Sequence, residues 1–105
     1  MDNSCCFVDY QSRSIRLTDE RRQHILKHPE MAAQFPRVQE TLAKPDFVIC
    51  TTADETVHVY HRYYEETPVT RKFLLVVVKH QQGDSFVLTA FFSNRPKNGT
   101  VVWRK

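Results

Sequence analysis

Two histidines four residues apart, with an arginine on the same side, are the first feature of this chain that could do chemistry. If the segment from Thr18 onward is helical, Arg21, His24 and His28 fall within an arc of about 60°. Imidazoles titrate near neutral pH and can move protons, and a guanidinium can hold an anion. The competing reading is a set of solvated surface side chains. A metal reading is poorer, because the H-x3-H spacing lacks the Glu of H-E-x-x-H and no third ligand is evident. A second group sits among alternating residues. Lys79 shares a strand face with Leu75 and Val77; Thr89 and Ser93 share one with Val87 and Phe91; Tyr60 and Arg62 share one with His58 and Tyr64. A snorkelling lysine, a β-favouring threonine or a solvated edge would each account for one of these.

The elements that must position these residues divide the chain in two. Thr18, followed by Asp19 and Glu20, predicts a capped helix running to about His28, where Pro29 ends it. Pro29–Phe35 and Pro36–Ala43 read as short helical segments, with Met31/Phe35 and Val38/Leu42 as i,i+4 pairs. From Phe47 the composition turns β-branched and aromatic, and five strands are predicted: 47–52, 56–64, 72–80, 85–93 and 100–104. The breaks between them are short, and Asn98-Gly99 is a hairpin-prone pair, so consecutive strands should be antiparallel neighbours. The expected fold is α+β: N-terminal helices packed on a single antiparallel sheet of four to five strands. A single domain over 1–105 is expected, with 1–16 an N-terminal extension or edge segment, 17–44 helical and 46–104 the sheet.

Composition narrows the classes. Of 105 residues, 41% are hydrophobic and 26% charged, with a mean hydropathy of -0.50, which is globular rather than disordered or collagen-like. The longest apolar run, Phe73–Val78, is far short of a membrane span. No membrane role is expected. The acidic start, with Asp2 and Asp9, does not resemble a secretion signal, and a cytosolic protein is expected. Only Gly83 and Gly99 are present, too few for phosphate loops or dinucleotide fingerprints. Cys5, Cys6 and Cys50 read as reduced thiols. Net charge is +3, but residues 1–54 hold seven Lys or Arg against eight Asp or Glu, and residues 55–105 hold eight against four. The C-terminal half is therefore the basic one, and it suits a polyanion such as nucleic acid.

Taken in order, His24-Ile25, His28-Pro29-Glu30, Thr41-Leu42 with Pro45-Asp46, Tyr60-His61-Arg62-Tyr63-Tyr64, Val76-Val77-Val78-Lys79, Phe86-Val87-Leu88-Thr89-Ala90 and Trp103 resemble one family across residues 17–103. It is the phage-type branch of the barnase/EndoU/colicin/RelE nuclease superfamily. The resemblance implies a small, toxin-like endoribonuclease that needs no metal or cofactor and directs the ribose 2'-hydroxyl onto phosphorus to give a 2',3'-cyclic phosphate. On this implication His24 transfers protons, Lys79 is the cation at the phosphate and Thr89 a hydroxyl donor. His28, also a second candidate for proton transfer, Tyr60, Arg62 and Ser93 contact substrate, and the positive charge of the C-terminal half adds Arg71 to the expected contacts. The implied partner is RNA, whether tRNA or mRNA, and an acidic cognate inhibitor or antitoxin would complement the basic half. A non-catalytic RNA-binding or protein-interaction module of the same fold is the alternative. The catalytic reading requires His24, Lys79 and Thr89 to converge in space.

Overall fold

A computed structural model describes residues 5–105. Its strands are β1 (Cys5–Val8), β2 (Ser14–Leu17), β3 (Phe47–Cys50), β4 (Val57–Tyr63), β5 (Phe73–Gln81), β6 (Asp84–Ser93) and β7 (Thr100–Arg104), and its helices are α1 (Asp19–Ile25) and α2 (Phe35–Ala43). All seven strands form one sheet in the order β1-β2-β6-β5-β4-β3-β7. The expected helices on an antiparallel sheet of four to five strands are thus corrected: the chain is mostly sheet, the sheet is mixed, and only two short α-helices accompany it. The reason lies in the N-terminal segment. In Ser14–Leu17 exposure alternates, with Ile15 and Leu17 fully inside, and Arg16 pairs with Phe86 in a parallel ladder. The stretch from β2 to β6 is long enough for the crossover that a parallel pair needs.

Local signals were followed closely in the helices. The Thr18 hydroxyl accepts from the Arg21 N–H at 3.2 Å, capping α1. The helix stops at Ile25 rather than His28, because the residue before Pro29 is pushed out of the helical region; His28 sits at φ -95°, ψ 104°. Pro29–Met31 forms one 3-10 turn. Helix α2 begins with Pro36 in its first turn and buries Val38, Thr41 and Leu42.

The sheet has two unlike faces. On the front, Tyr60, Val76 and Ala90 stand in register across β4, β5 and β6, and α1, the 3-10 turn and α2 bury Ile25, Met31, Val38 and Leu42 against them. On the back, Ile49, Val59 and Leu75 form a smaller cluster with Phe47, Phe73, Val77 and Phe91. Residues 94–99 cross this back face to carry the chain from β6 to the far side of β3. The Lys97 N–H donates to His61 Nε2 at 2.9 Å. The ring's other nitrogen, at 3.0 Å, donates to the Val59 carbonyl, and the ring stacks on Phe47 with centroids 4.3 Å apart. Asn98-Gly99 therefore ends a crossing segment and does not turn a hairpin. A Cβ at Gly99 would lie 2.4 Å from the Cys50 carbonyl oxygen, so this approach requires glycine. No helix among the described residues is long and apolar enough to cross a membrane.

Gly99→Ala must push the crossing segment off β3. It should destabilise the protein by about 1–3 kcal/mol, read as a lower urea midpoint at pH 7 with an unchanged slope. The neighbouring exchange Asn98→Ala should leave the midpoint nearly where it was. Equal midpoints for the two variants would contradict the close packing at Cys50.

Candidate active site

Residues 9–13 join β1 to β2, and Asp9 organises this turn. Its Oδ1 accepts from the backbone N–H groups of Gln11 at 3.0 Å and Arg13 at 2.9 Å, while Ser12 adopts φ 63°. Its Oδ2 takes Arg13 Nε at 2.9 Å and the Tyr60 hydroxyl at 2.7 Å. Asp9 is 4% exposed and Tyr60 fully buried. A carboxylate survives there because four donors, one of them cationic, replace the water it has lost. Burial raises its pKa, but the bonds from Tyr60, Arg13 and Gln11 outweigh burial and leave the group below the usual value.

The hydrogen-bond count then fixes the state of a histidine. Tyr60 has one hydroxyl proton, which it donates to Asp9, so its other partners must donate to it. They are Arg13 Nη2 at 3.2 Å and His80 Nε2 at 3.0 Å. His80 therefore carries its proton on Nε2 and keeps a lone pair on Nδ1, where Ser85 Oγ lies 2.8 Å away and donates. Burial, then the positive charge of Arg13, then neighbouring His58 push His80 down to about 4, with Asp9 opposing. His58 meets His80 edge-on at 4.8 Å between centroids, and its Nδ1 is buried without a partner. Its pKa is lowered by burial and by Arg13. Burial and the bond to Asp9 raise Tyr60 beyond the ordinary phenol range, which keeps its proton in place.

The tight turn between β5 and β6, with Gly83 at φ 75°, sets His80 directly opposite Ser85 and Gln81 opposite Asp84. Between this hairpin and β2 lies a cleft of about 510 Å³, lined among others by Arg13, Ser14, Arg16, His80 and Ser85. Arg16 pairs with Asp84 at 2.9 Å and stands over the Phe86 ring. Two guanidiniums suit an anion such as a phosphate, and the Nδ1 lone pair of His80 can accept a proton. Among the described residues no group of three His, Cys, Asp or Glu is placed to hold a metal ion.

Over residues 1–104 the chain matches the family described as phage-Barnase-EndoU-ColicinE5/D-RelE like nuclease2. The chain belongs to this nuclease family. That agrees with the branch indicated by the short signatures. No curated protein and no solved structure matches it. For a member of the nuclease2 family, the cleft beside His80 is where chemistry and geometry coincide.

The residues expected from the signatures are distributed otherwise. His24 is exposed in the last turn of α1, on the front side of the sheet. Lys79 and Thr89 lie on the back face, Thr89 opposite Val77 and Lys79 paired with Asp54 at 2.8 Å. The three are not brought together, because a one-residue step along a strand reverses the face. Ser93, at the end of β6, bonds locally to Arg95. His28 and Arg71 line one cavity, of about 280 Å³, with Met31 and Phe92 among its other walls. Arg62 pairs with Glu40 at 3.4 Å and donates to the Lys44 carbonyl at 2.6 Å. Tyr60 alone of the expected residues belongs to the Asp9 network, through a buried hydroxyl rather than an open ring. Sequence reasoning missed Asp9, Arg13, Arg16, His80 and Ser85. The short 81–84 break between two strands was the signal for the last two, since a tight hairpin there must set His80 against Ser85.

The buried rings make stability depend on pH. His80 and His61 both sit near 4 in the folded protein, His61 mainly through burial, against about 6.5 when unfolded. Between those values the unfolded chain binds more protons, so stability falls as pH drops through the window from about 6.5 to about 4. Asp9, also depressed, adds loss only below its ordinary carboxyl value. The thermal midpoint should fall steadily from pH 7 to pH 4.5, and His80→Asn should flatten the slope. A constant wild-type midpoint over that range would show that the two rings protonate freely.

Proposed function

We propose that the chain is a metal-independent endoribonuclease, toxin-like in action, that cleaves RNA by attack of the ribose 2'-hydroxyl to give a 2',3'-cyclic phosphate. The observation that carries this reading is that His80, its Nδ1 bonded only to the Ser85 hydroxyl, lines a cleft together with Arg13 and Arg16. A site with an imidazole as proton acceptor, two guanidiniums and the Asp84 carboxylate already paired with Arg16 suits a nucleophile that the substrate itself carries. The 2'-hydroxyl takes the place of Ser85 Oγ at Nδ1, gives up its proton there and bonds to phosphorus as the bond to the 5'-oxygen breaks. Arg13 and Arg16 hold the non-bridging oxygens and stabilise the charge that accumulates on the phosphorane. No second imidazole lines the cleft, so the leaving 5'-oxygen takes its proton from water. Asp9 and Tyr60 act one step removed, holding Arg13 and the tautomer of His80.

Purified protein incubated with total RNA in excess chelator should cleave it and leave 2',3'-cyclic phosphate ends detectable by mass spectrometry. His80→Ala should lower the single-turnover rate by about 10²–10⁴ and Arg16→Ala by about 10²–10³. The thermal midpoint of each variant, measured on the same preparation, separates lost chemistry from lost folding. Cleavage that needs added metal would overturn the metal-independent mechanism. Cleavage indifferent to His80→Ala but lost in His24→Ala or Lys79→Ala would move the site to the residues indicated by sequence. RNA binding without cleavage under any condition would favour the binding module.

A further inference from the structure

A second cavity, of about 530 Å³, lies on the other side of the 9–13 turn, and its walls include Tyr10, Trp103, Lys44, Arg62 and Lys105. Its floor is aromatic. The rings of Tyr10 and Trp103 lie 4.7 Å apart, tilted by 39°, and both residues are half-buried, so each is fixed by packing yet keeps open surface. Its rim is cationic. Arg62 is held by Glu40 and the Lys44 carbonyl, and Lys105 reaches Asp46 at 3.5 Å with its side chain 72% exposed. Lys44 is exposed, and its ammonium group has no partner among the described residues.

Tyr10 joins this cavity to the cleft at His80. Its ring lies 5.8 Å from the Arg13 guanidinium and meets Tyr60 edge-on at 5.9 Å, while its other neighbour is Trp103. The turn thus presents Arg13 to one cavity and Tyr10 to the next. Trp103 comes to the front of the sheet because it pairs with Val48, which pairs in turn with Tyr60. We infer that the Tyr10–Trp103 cavity is a nucleobase-stacking subsite for a nucleotide flanking the scissile phosphate of a single-stranded RNA. Aromatic faces accept any base, and exposed cations beside them track the backbone. A base can enter only when it is out of a duplex stack, which restricts the ligand to single-stranded regions. The inference rests on the endoribonuclease reading of the neighbouring cleft, and the test below keeps the two apart.

Trp103 is the only tryptophan of the chain, so its emission reports on this cavity directly. The probe is a short, mixed-sequence, single-stranded 2'-O-methyl oligoribonucleotide, which lacks the free 2'-hydroxyl and cannot be cleaved by the proposed route. It should quench Trp103 saturably at low salt, and the same sequence annealed into a duplex should not. Followed by anisotropy of a labelled oligonucleotide, Trp103→Ala should weaken binding by about 5- to 150-fold, whereas Trp103→Phe should retain most of it. Lys44→Ala, at an exposed position, should weaken binding severalfold with the thermal midpoint unchanged, and it keeps the test valid should Trp103→Ala fail to fold. Absence of binding, binding with unchanged Trp103 emission, or binding indifferent to Lys44→Ala would overturn the subsite. Quenching by the probe without cleavage of unmodified RNA would remove the nuclease reading and leave the subsite. Cleavage without quenching would do the reverse.

Discussion

A carboxylate and a phenol buried against each other, Asp9 and Tyr60, hold the rest of the site in place. Their 2.7 Å bond spans the fold from the first turn to the middle of the sheet, and Arg13 closes a triangle with both. Taking a charge out of water is costly, and removing one partner of such a group commonly costs about 3–5 kcal/mol because the other is left uncompensated. The β1–β2 hairpin is also tied to the body by the burial of Ile15 and Leu17, by the Tyr10 N–H donating to the Leu42 carbonyl, by the Arg16–Asp84 pair, by a short parallel contact with β6 and by Gln39, whose side chain bonds both backbone groups of Val8. The buried polar contact that helps to dock the hairpin is thus the one that orders Tyr60, and Tyr60 in turn dictates where His80 keeps its proton.

The two faces of the sheet answer different demands. On the front, apolar burial by α1 and α2 surrounds a polar line that runs from Ser85 through His80 and Tyr60 to Asp9. On the back, a three-residue apolar cluster has no helix over it among the described residues and is covered in part by the 94–99 crossing. His61 belongs to that side. Its ring accepts from the Lys97 N–H and donates to the Val59 carbonyl, which fixes the crossing segment to β4. Two histidines with similarly depressed pKa values therefore do unlike things: one is a fastener with both nitrogens occupied by backbone, the other keeps its lone pair beside a cleft. Lys79, for its part, holds the Asp54 carboxyl well below the usual range from across the 51–56 turn, which is a strand-end contact.

Most strand positions and the Thr18 cap were legible in the sequence because they are local: alternation, β-branched residues, a hydroxyl before two acids. Cys5–Val8 and Ser14–Leu17 were not, since four residues with a single polar-apolar alternation do not stand out until a partner strand completes them. The sheet order was hidden for a related reason. A short connection favours a hairpin, but six residues can also cross a twisted sheet when a glycine at the landing point admits a carbonyl and a histidine offers an acceptor. The family could be read from the order of short signatures, yet those signatures did not locate the cleft. Position within a signature says nothing about face, and Lys79 and His80 are adjacent residues on opposite sides of the sheet. Asp9 and Arg13 acquire meaning only through Tyr60, 51 and 47 positions away.

A base held near 4 is weak for a reaction at neutral pH, and the causes of its depression indicate how substrate changes it. After burial, the next contributor is the positive charge of Arg13, the group that the proposed mechanism gives to the phosphate. When an anionic phosphate enters between Arg13 and Arg16, it offsets that charge and adds a negative one beside the ring. A unit charge about 4 Å away, at the screening usual near protein surfaces, contributes about 4 kcal/mol, enough to return an imidazole from about 4 toward neutral pH. On the ribonuclease reading the empty site therefore keeps His80 neutral with its lone pair on Nδ1, and the bound phosphodiester makes that lone pair basic when a 2'-hydroxyl stands against it. The arrangement needs Arg13 to be fixed before substrate arrives, and the buried carboxylate of Asp9 fixes it.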